Sequence, residues 1–293
     1  MDLLYSLFGT ANPVIGVVHL LPLPTSPRWG GKLEPVIAQA EQEATALAAG
    51  GVHGIIIENY HDAPFCKKRV DPAVVSTMSV ILHRLKTLVA LPFGINVLRN
   101  DGHSALAIAA CLGAQFIRVN VLIGVMVTDQ GLMEGEAYRL LRYRRELGVD
   151  VKIFADVMVK HANALGSANL MAAVSDTVER GLADAIILSG WSTGHPPSLE
   201  DLSLARSTAP STPLLIGSGA TAENIGRLIQ SADGVIVASS LKRPGRAPLM
   251  SAGSSLNGRE GFQSIDPIRV RTFVDAMQQQ LDHPARLSVS TSL

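Results

Sequence analysis

Side chains able to transfer protons stand at the ends of several short apolar runs in this 293-residue chain. Histidine and carboxylates are the groups that most often act as general acids or bases in enzymes. His19, Glu58 and Asp156 are therefore the candidates for a catalytic acid or base. Further polar groups at comparable positions are candidates for lining a substrate-binding mouth, namely Asn59, Asn96, Arg118, Asn120 and Ser189. These groups could equally form a satisfied polar layer with no catalytic role.

Two further run ends are built from small residues. The stretch "LLIGSGATAEN" contains Gly217, Ser218 and Gly219, and "VASSLK" contains Ala238, Ser239 and Ser240. Small side chains let backbone N–H groups approach an anion closely. We therefore predict phosphate binding at these six residues, although "GSG" alone is an ordinary turn signal. Thr221 is the expected N-cap of a helix over "AENIGRLIQ".

Arg118 constrains the arrangement of the mouth. It shares a strand face with Asn120 by the period of two, so both side chains point the same way. A buried guanidinium needs a carboxylate partner, and Glu58 and Asp156 are the nearest candidates. No two potential metal ligands have the i, i+4 or C-x-x-C spacing typical of metal sites, so we assign no metal, and the cofactor is unknown.

Eight β-branched runs must position these groups. They span residues 14–20, 54–59, 93–98, 116–121, 151–157, 185–190, 214–219 and 234–240. Each is short and apolar, as expected of strands covered on both faces, and segments with helical spacing lie between them. The pattern predicts a single (β/α)₈ TIM barrel over residues 1–293. A doubly wound open sheet is the alternative, but it usually has fewer strands, and no G-x-G-x-x-G follows the first run.

The connections that follow the strands are longer than those that follow the helices. A barrel whose working face lies at the carboxyl ends of its strands has this asymmetry. The loops after strands 7 and 8 are a frequent phosphate site in such barrels, and they are the two small-residue loops here. Residues 244–261 are rich in Gly, Ser and Pro and predict a long loop, and residues 282–293 predict a disordered tail.

Composition excludes several classes of protein. The formal net charge of +0 argues against a dedicated nucleic-acid binder, which usually has a basic face. Two cysteines cannot form a disulfide framework and favour a reducing compartment. No signal peptide or transmembrane segment is predicted, so we expect a soluble or peripheral protein. The oligomeric state stays open, a homo-oligomer included.

Motifs spread along the chain resemble those of the BtpA family. They include "NPVIGVVHLLPLPTSPRWGG", "RVDPAVVS", "GAQFIRVNVL", "IGSGATAENI" and "ADGVIVASSLK". The resemblance runs from about Asn12 to Lys242 and resumes at "IDPIRVRTFVDAM". It implies a peripheral protein on the cytoplasmic side of the thylakoid membrane, needed for accumulation or stability of photosystem I reaction-centre proteins. Photosystem I assembly components would then be its partners.

Two functional hypotheses follow. The first is a photosystem I biogenesis or stability factor built on a phosphate-binding barrel. The alternative is a metabolic enzyme that acts on a phosphorylated small molecule, such as a sugar phosphate or nucleotide, by acid–base chemistry. A phosphorylated small-molecule ligand is common to both.

Overall fold

The computed structural model describes residues 2–159, 161–166, 169–190, 194–243 and 263–282. The predicted loop at 244–261 and residues 283–293 of the predicted tail lie outside this part of the chain.

The described strands form a closed barrel and a smaller sheet. In chain order they are β1 (Val14–His19), β2 (Gly54–Glu58), β3 (Phe93–Asn96), β4 (Phe116–Val119), β5 (Val125–Thr128), β6 (Gly131–Glu134), β7 (Lys152–Val157), β8 (Ala162–Ala164), β9 (Ala185–Leu188), β10 (Leu214–Ile216) and β11 (Gly234–Val237). Around the barrel the order is β1, β2, β3, β4, β7, β9, β10, β11 and back to β1, with every neighbouring pair parallel. This confirms the predicted TIM barrel. Most strands end one to three residues before the predicted end, because the backbone leaves the sheet where the loops begin.

Helices alternate with the barrel strands. They are α1 (Leu3–Phe8), α2 (Glu34–Gly50), α3 (Pro72–Leu88), α4 (Gly102–Leu112), α5 (Ala137–Glu146), α6 (Leu170–Ser175), α7 (Leu199–Thr208), α8 (Ile225–Leu228) and α9 (Pro267–Asp282). Side-chain caps begin several of them: Asp71 accepts from Ala73 N, Asp101 from Ser104 N and Ser198 from Asp201 N. None of the described helices combines the length and apolar character needed to cross a bilayer.

The small sheet was missed by sequence reading, which treated its segments as loops. It is antiparallel, with the order β6, β5, β8, and its inner side chains Met126 and Met133 pack on Val121 and Val159. Val127 and Leu132 on its strands are exposed. Strands of three or four residues with one side in water have too little apolar pattern to be recognised.

Helix α1 covers the amino-terminal end of the barrel. The Phe8 ring lies 5.5 Å from that of Phe116 and 6.5 Å from that of Phe154, and the latter two rings stack at 4.7 Å. A Cβ at Gly54 would meet the Phe8 ring, so the first residue of β2 must be small for α1 to dock. The interior is therefore apolar at this end, and its polar groups are confined to the opposite mouth.

We expect Phe8→Ala to destabilise the protein by about 3 kcal/mol, because it removes a buried aromatic ring from this layer. Urea unfolding gives the measurement. Tyr5→Ala is the matched control, since Tyr5 lies on the same helix but is 56% exposed. Equal destabilisation by the two substitutions would contradict the role assigned to α1.

Candidate active and binding site at the barrel mouth

A buried ion pair lies in the interior of the mouth. Arg118 of β4 donates to Asp156 of the neighbouring strand β7 through Nε to Oδ2 at 2.9 Å and Nη2 to Oδ1 at 2.8 Å. Asn120 Nδ2 adds a bond to Oδ2 at 2.8 Å. Burial acts to lower the pKa of Arg118, and the charge and hydrogen bond of Asp156 outweigh it and raise that pKa. Of the two predicted carboxylate partners of Arg118, Asp156 is therefore the one that forms the ion pair.

The same bonds limit what Asp156 can do. Both of its oxygens accept hydrogen bonds, from three donor atoms in all, and the residue lines neither of the two cavities described below. Three of the roughly four lone-pair sites of this carboxylate are therefore occupied by protein donors. The geometry makes Asp156 the group that positions Arg118, and its role as an acid or base stays a prediction.

Glu58 is the carboxylate that faces open space. Its Oε2 accepts from Asn96 Nδ2 at 2.7 Å, and its Oε1 lies 3.8 Å from His19 Nε2. The residue is 6% exposed and lines both cavities. Strands β1, β2 and β3 are neighbours, with His19 paired to Glu58 and Glu58 to Asn96 in register, so the barrel itself brings the three side chains together.

Lys242, which follows β11, orients the His19 ring. Its Nζ lies 3.2 Å from His19 Nδ1, and Tyr60 stacks on the imidazole with a centroid distance of 4.2 Å. With Lys242 as an ammonium, which can only donate, Nδ1 is the acceptor and the tautomer that fits has its ring proton on Nε2, the nitrogen that faces Glu58. The 3.8 Å gap between Nε2 and Oε1 is too long for a direct hydrogen bond. A proton donor and a proton acceptor thus face the same space.

Glu43 is a buried carboxyl group behind this cluster, on the inner face of α2. It is 1% exposed, and the polar groups beside its carboxyl oxygens are the Gln39 side chain and the backbone at His19 and Ile265. Burial raises its pKa from 4.5 to about 7, against the attraction of Lys242. Burial also lowers the pKa of Lys242, while Glu43 and Glu58 act to raise it. Sequence reading missed Glu43, although its position among Val36, Ala40 and Leu47 on the helical apolar face was a signal.

Two cavities meet at the mouth. One has a volume of about 310 Å³ and lies against the loops after β10 and β11, and the other, of about 440 Å³, lies toward the loops after β2 and β3. Glu58, Tyr60 and Arg118 line both, so these residues form the boundary between them. A ligand that fills both volumes passes directly over Glu58.

The six predicted phosphate-binding residues all line the smaller cavity, but they are not equivalent. Gly217 N–H donates to Leu188 O at 2.7 Å and remains part of the sheet. Ser218 Oγ accepts from Gly190 N at 3.2 Å and donates to His195 O at 2.9 Å, which fixes the loop after β9. Gly217 N–H and the Ser218 hydroxyl are therefore already committed to protein partners.

Other donors at these loops remain. Within the described chain, no backbone hydrogen bond uses the N–H groups of Ser218, Gly219, Ser239 or Ser240. Gly219 has a φ of +71°, and a Cβ there would collide with the backbone of His195 and Pro196. This position therefore requires glycine. The result is a group of amide donors from two adjacent loops on one cavity wall.

The helix expected after Thr221 is shorter than predicted, although Asn224 bonds back to the Thr221 N–H as the fourth residue of a capping box does. Helix α8 begins only at Ile225 and has four residues, and Asn224 Oδ1 accepts from Thr221 N at 2.8 Å. Asn224 also donates to Gly219 O at 2.9 Å. The polar side chain thus folds back to hold the loop, and "GATAEN" is a turn, not the start of a longer helix.

Sequence reading predicted Asn59 and Ser189 at the mouth, but the structure places both elsewhere. Asn59 Oδ1 accepts from Leu98 N at 2.7 Å and its Nδ2 donates to Asp62 at 2.9 Å, so this amide ties the loops after β2 and β3 together. Ser189 Oγ is buried beside Gly217 with no partner among the described residues. Neither residue lines either cavity. The described residues also contain no group of three or more His, Cys, Asp or Glu placed to hold a metal ion.

Glu43 predicts a specific pH dependence of stability. Its pKa of about 7 in the folded state exceeds its ordinary 4.5, so between these values the folded state keeps a proton that the unfolded state has lost. The stabilisation of the folded state that comes from protonated Glu43 is fully present below pH 4.5 and is lost as the pH rises through 7. Its upper limit is about 3 kcal/mol, at 1.36 kcal/mol per pKa unit. Urea unfolding at pH 5 and pH 8 should therefore show a smaller stability loss for Glu43→Gln than for the unmodified chain.

Glu41→Gln serves as the control, because Glu41 lies on the same helix and pairs with Arg84 at the surface. It should keep the pH dependence of the unmodified chain. The assignment fails if Glu43→Gln keeps that dependence as well.

Comparison with known proteins places this chain in a family. A model of the BtpA family matches residues 10–279. The chain is 66% identical over 281 residues to the photosystem I biogenesis protein BtpA of Synechocystis sp., an alignment that covers 96% of this chain and 93% of that protein. An uncharacterized protein of Pyrococcus furiosus is 48% identical over 235 residues, which cover 80% of this chain and 88% of that protein.

Solved structures share the fold at low identity. N-(5′-phosphoribosyl)anthranilate isomerase from Pyrococcus furiosus has a TM-score of 0.53 at 14% identity and covers 92% of this chain and 99% of its own. GGGPS from Thermoplasma volcanium has a TM-score of 0.53 at 15% identity, with coverage of 95% and 98%. Such identities show the fold alone. The family model and the close relative decide the assignment: this chain belongs to the BtpA family.

Proposed function

We propose that this chain is a photosystem I biogenesis factor whose barrel mouth binds a phosphorylated small molecule. The observation that carries the ligand is the group of backbone N–H donors at Ser218, Gly219, Ser239 and Ser240 on one wall of the smaller cavity. The biological role comes from the Synechocystis relative, whose name states it and which aligns over nearly the whole of both chains. At the thylakoid the protein would act as a peripheral partner of assembly components.

Physical chemistry supports a phosphate at this wall. A hydrogen bond to a charged oxygen contributes about 1.5–3 kcal/mol, so three or four N–H donors give substantial affinity. Lys242 and the Nε2–H of His19 add positive charge and a donor nearby. Backbone donors in fixed loops also lose little conformational entropy on binding, which favours a small anion over a flexible partner.

A second candidate function is enzymatic turnover of the same ligand, and the pair of His19 and Glu58 favours it. An imidazole and a carboxyl group that face a common space can pass a proton to and from a substrate. In this case Glu58 is the base and His19 the acid, while the loops after β10 and β11 hold the phosphate.

Phosphate binding is tested by a charge substitution at Ser239, whose side chain is exposed. We expect Ser239→Asp to weaken binding at least about tenfold, because a carboxylate beside the N–H donors repels the anion. Ser239→Asn, nearly the same size and neutral, should bind like the unmodified chain. Calorimetric titration with inorganic phosphate and ribose 5-phosphate measures the affinity. The site is disproved if neither probe binds, or if the two variants bind equally.

The biological role is tested by complementation of a Synechocystis strain that lacks its BtpA relative. We expect this chain to restore the ratio of photosystem I to photosystem II reaction-centre polypeptides, measured by immunoblot, and Ser239→Asp to fail. No restoration by the unmodified chain contradicts the assembly role.

Glu58→Gln separates the two candidate functions in the same strain. It keeps the side-chain shape but removes the base, so it should restore the ratio if binding alone suffices. If turnover is required, Glu58→Gln fails while Ser239→Asn succeeds. Immunoblots of each variant confirm equal accumulation.

A further inference from the structure

The larger cavity is lined by charged side chains that phosphate binding in the smaller cavity does not explain. Its volume is about 440 Å³, and it begins at Glu58, Tyr60 and Arg118, where the smaller cavity ends. A ligand with its phosphate on the loops after β10 and β11 therefore continues into this second volume. What lines the far wall decides which chemical group can lie there.

Two arginines besides Arg118 line the larger cavity. Arg99 follows β3 and is 5% exposed, and Arg28 lies on the exposed connection between β1 and α2. Arg118 is already bound by Asp156 in a bidentate pair. No described carboxylate lies within ion-pair distance of Arg28. Guanidinium groups with this placement match the planar fork of a carboxylate or the oxygens of a phosphate.

The electrostatic surroundings agree with an anion at this wall. His61 lines the same cavity, and burial lowers its pKa to about 4, with further lowering by Lys242 and Arg28. The imidazole is therefore neutral at pH 7 and can donate or accept a hydrogen bond. Two carboxylates that line this cavity oppose an anion: Glu58 at its boundary, and Asp129 in the turn between β5 and β6, which is exposed to solvent.

We propose that the ligand carries a second anionic group, a carboxylate or a second phosphate, that binds between Arg28 and Arg99 in the larger cavity. This inference rests on the proposed phosphate site, which supplies the first anchor. It narrows the ligand class to small molecules with an acidic group at each end, long enough to pass over Glu58.

Matched pairs of probes test the second group. Fructose 1,6-bisphosphate is compared with fructose 6-phosphate, and 3-phosphoglycerate with glycerol 3-phosphate, by calorimetric titration of the full chain. We expect at least one doubly acidic member to bind about tenfold tighter than its singly acidic partner. The two pairs also tell a phosphate from a carboxylate as the preferred second group.

Two variants, one that removes a positive charge and one that removes a negative charge, show where the second anionic group lies. Arg28→Gln should remove most of the extra affinity of the doubly acidic probe and leave the affinity of the singly acidic probe unchanged. Asp129→Asn removes one of the two opposing carboxylates and should increase that extra affinity. Both residues are exposed, so neither change disturbs the buried core. A nonspecific loss of structure would not produce effects of opposite sign.

Each outcome is decisive. Equal binding of both members in both pairs, or effects of the two variants in the same direction, overturns the second anionic site and leaves the phosphate site standing. Failure of all four probes and of inorganic phosphate overturns both proposals together.

Discussion

The mouth of this barrel depends on the ion pair between Arg118 and Asp156. Two charges inside a barrel are tolerated only when they neutralise each other and have their hydrogen bonds satisfied, and loss of one partner typically costs about 3–5 kcal/mol. The bidentate geometry links β4 to β7, and Asn120 adds a third bond. Because Arg118 lines both cavities, the pair also fixes the boundary between them.

The pair is stable in place because of the layer beneath it. Phe116 and Phe154 precede Arg118 and Asp156 by two residues, so each aromatic ring points into the barrel directly below its charged neighbour. Phe8 of α1 closes the end of that layer. Water is kept out from below, which strengthens the electrostatic interactions at the mouth and confines the approach of a ligand to the loops.

Sequence predicted those features that are set by period and strand order. Eight apolar runs implied the closed barrel, and the shared face of Arg118 and Asn120 implied a carboxylate partner. It could not distinguish a free N–H from one in the sheet: Gly217 and Gly219 look alike in sequence, yet only Gly217 donates to Leu188. Nor could it place Glu43 near Lys242, because that proximity depends on how α2 and the segment after β11 pack in space.

The two proposed functions make different demands on the residues of the mouth. A phosphate held by N–H groups from the loops after β10 and β11 would bind only when both loops adopt the described arrangement. Its occupancy would therefore stabilise that arrangement in proportion to ligand concentration. A partner that contacts these loops would respond to the ligand without any chemical step. Turnover needs in addition the proton donor and acceptor across the gap between His19 and Glu58. The loops are thus common to both proposed functions, whereas the His19–Glu58 pair is required only by the enzymatic one.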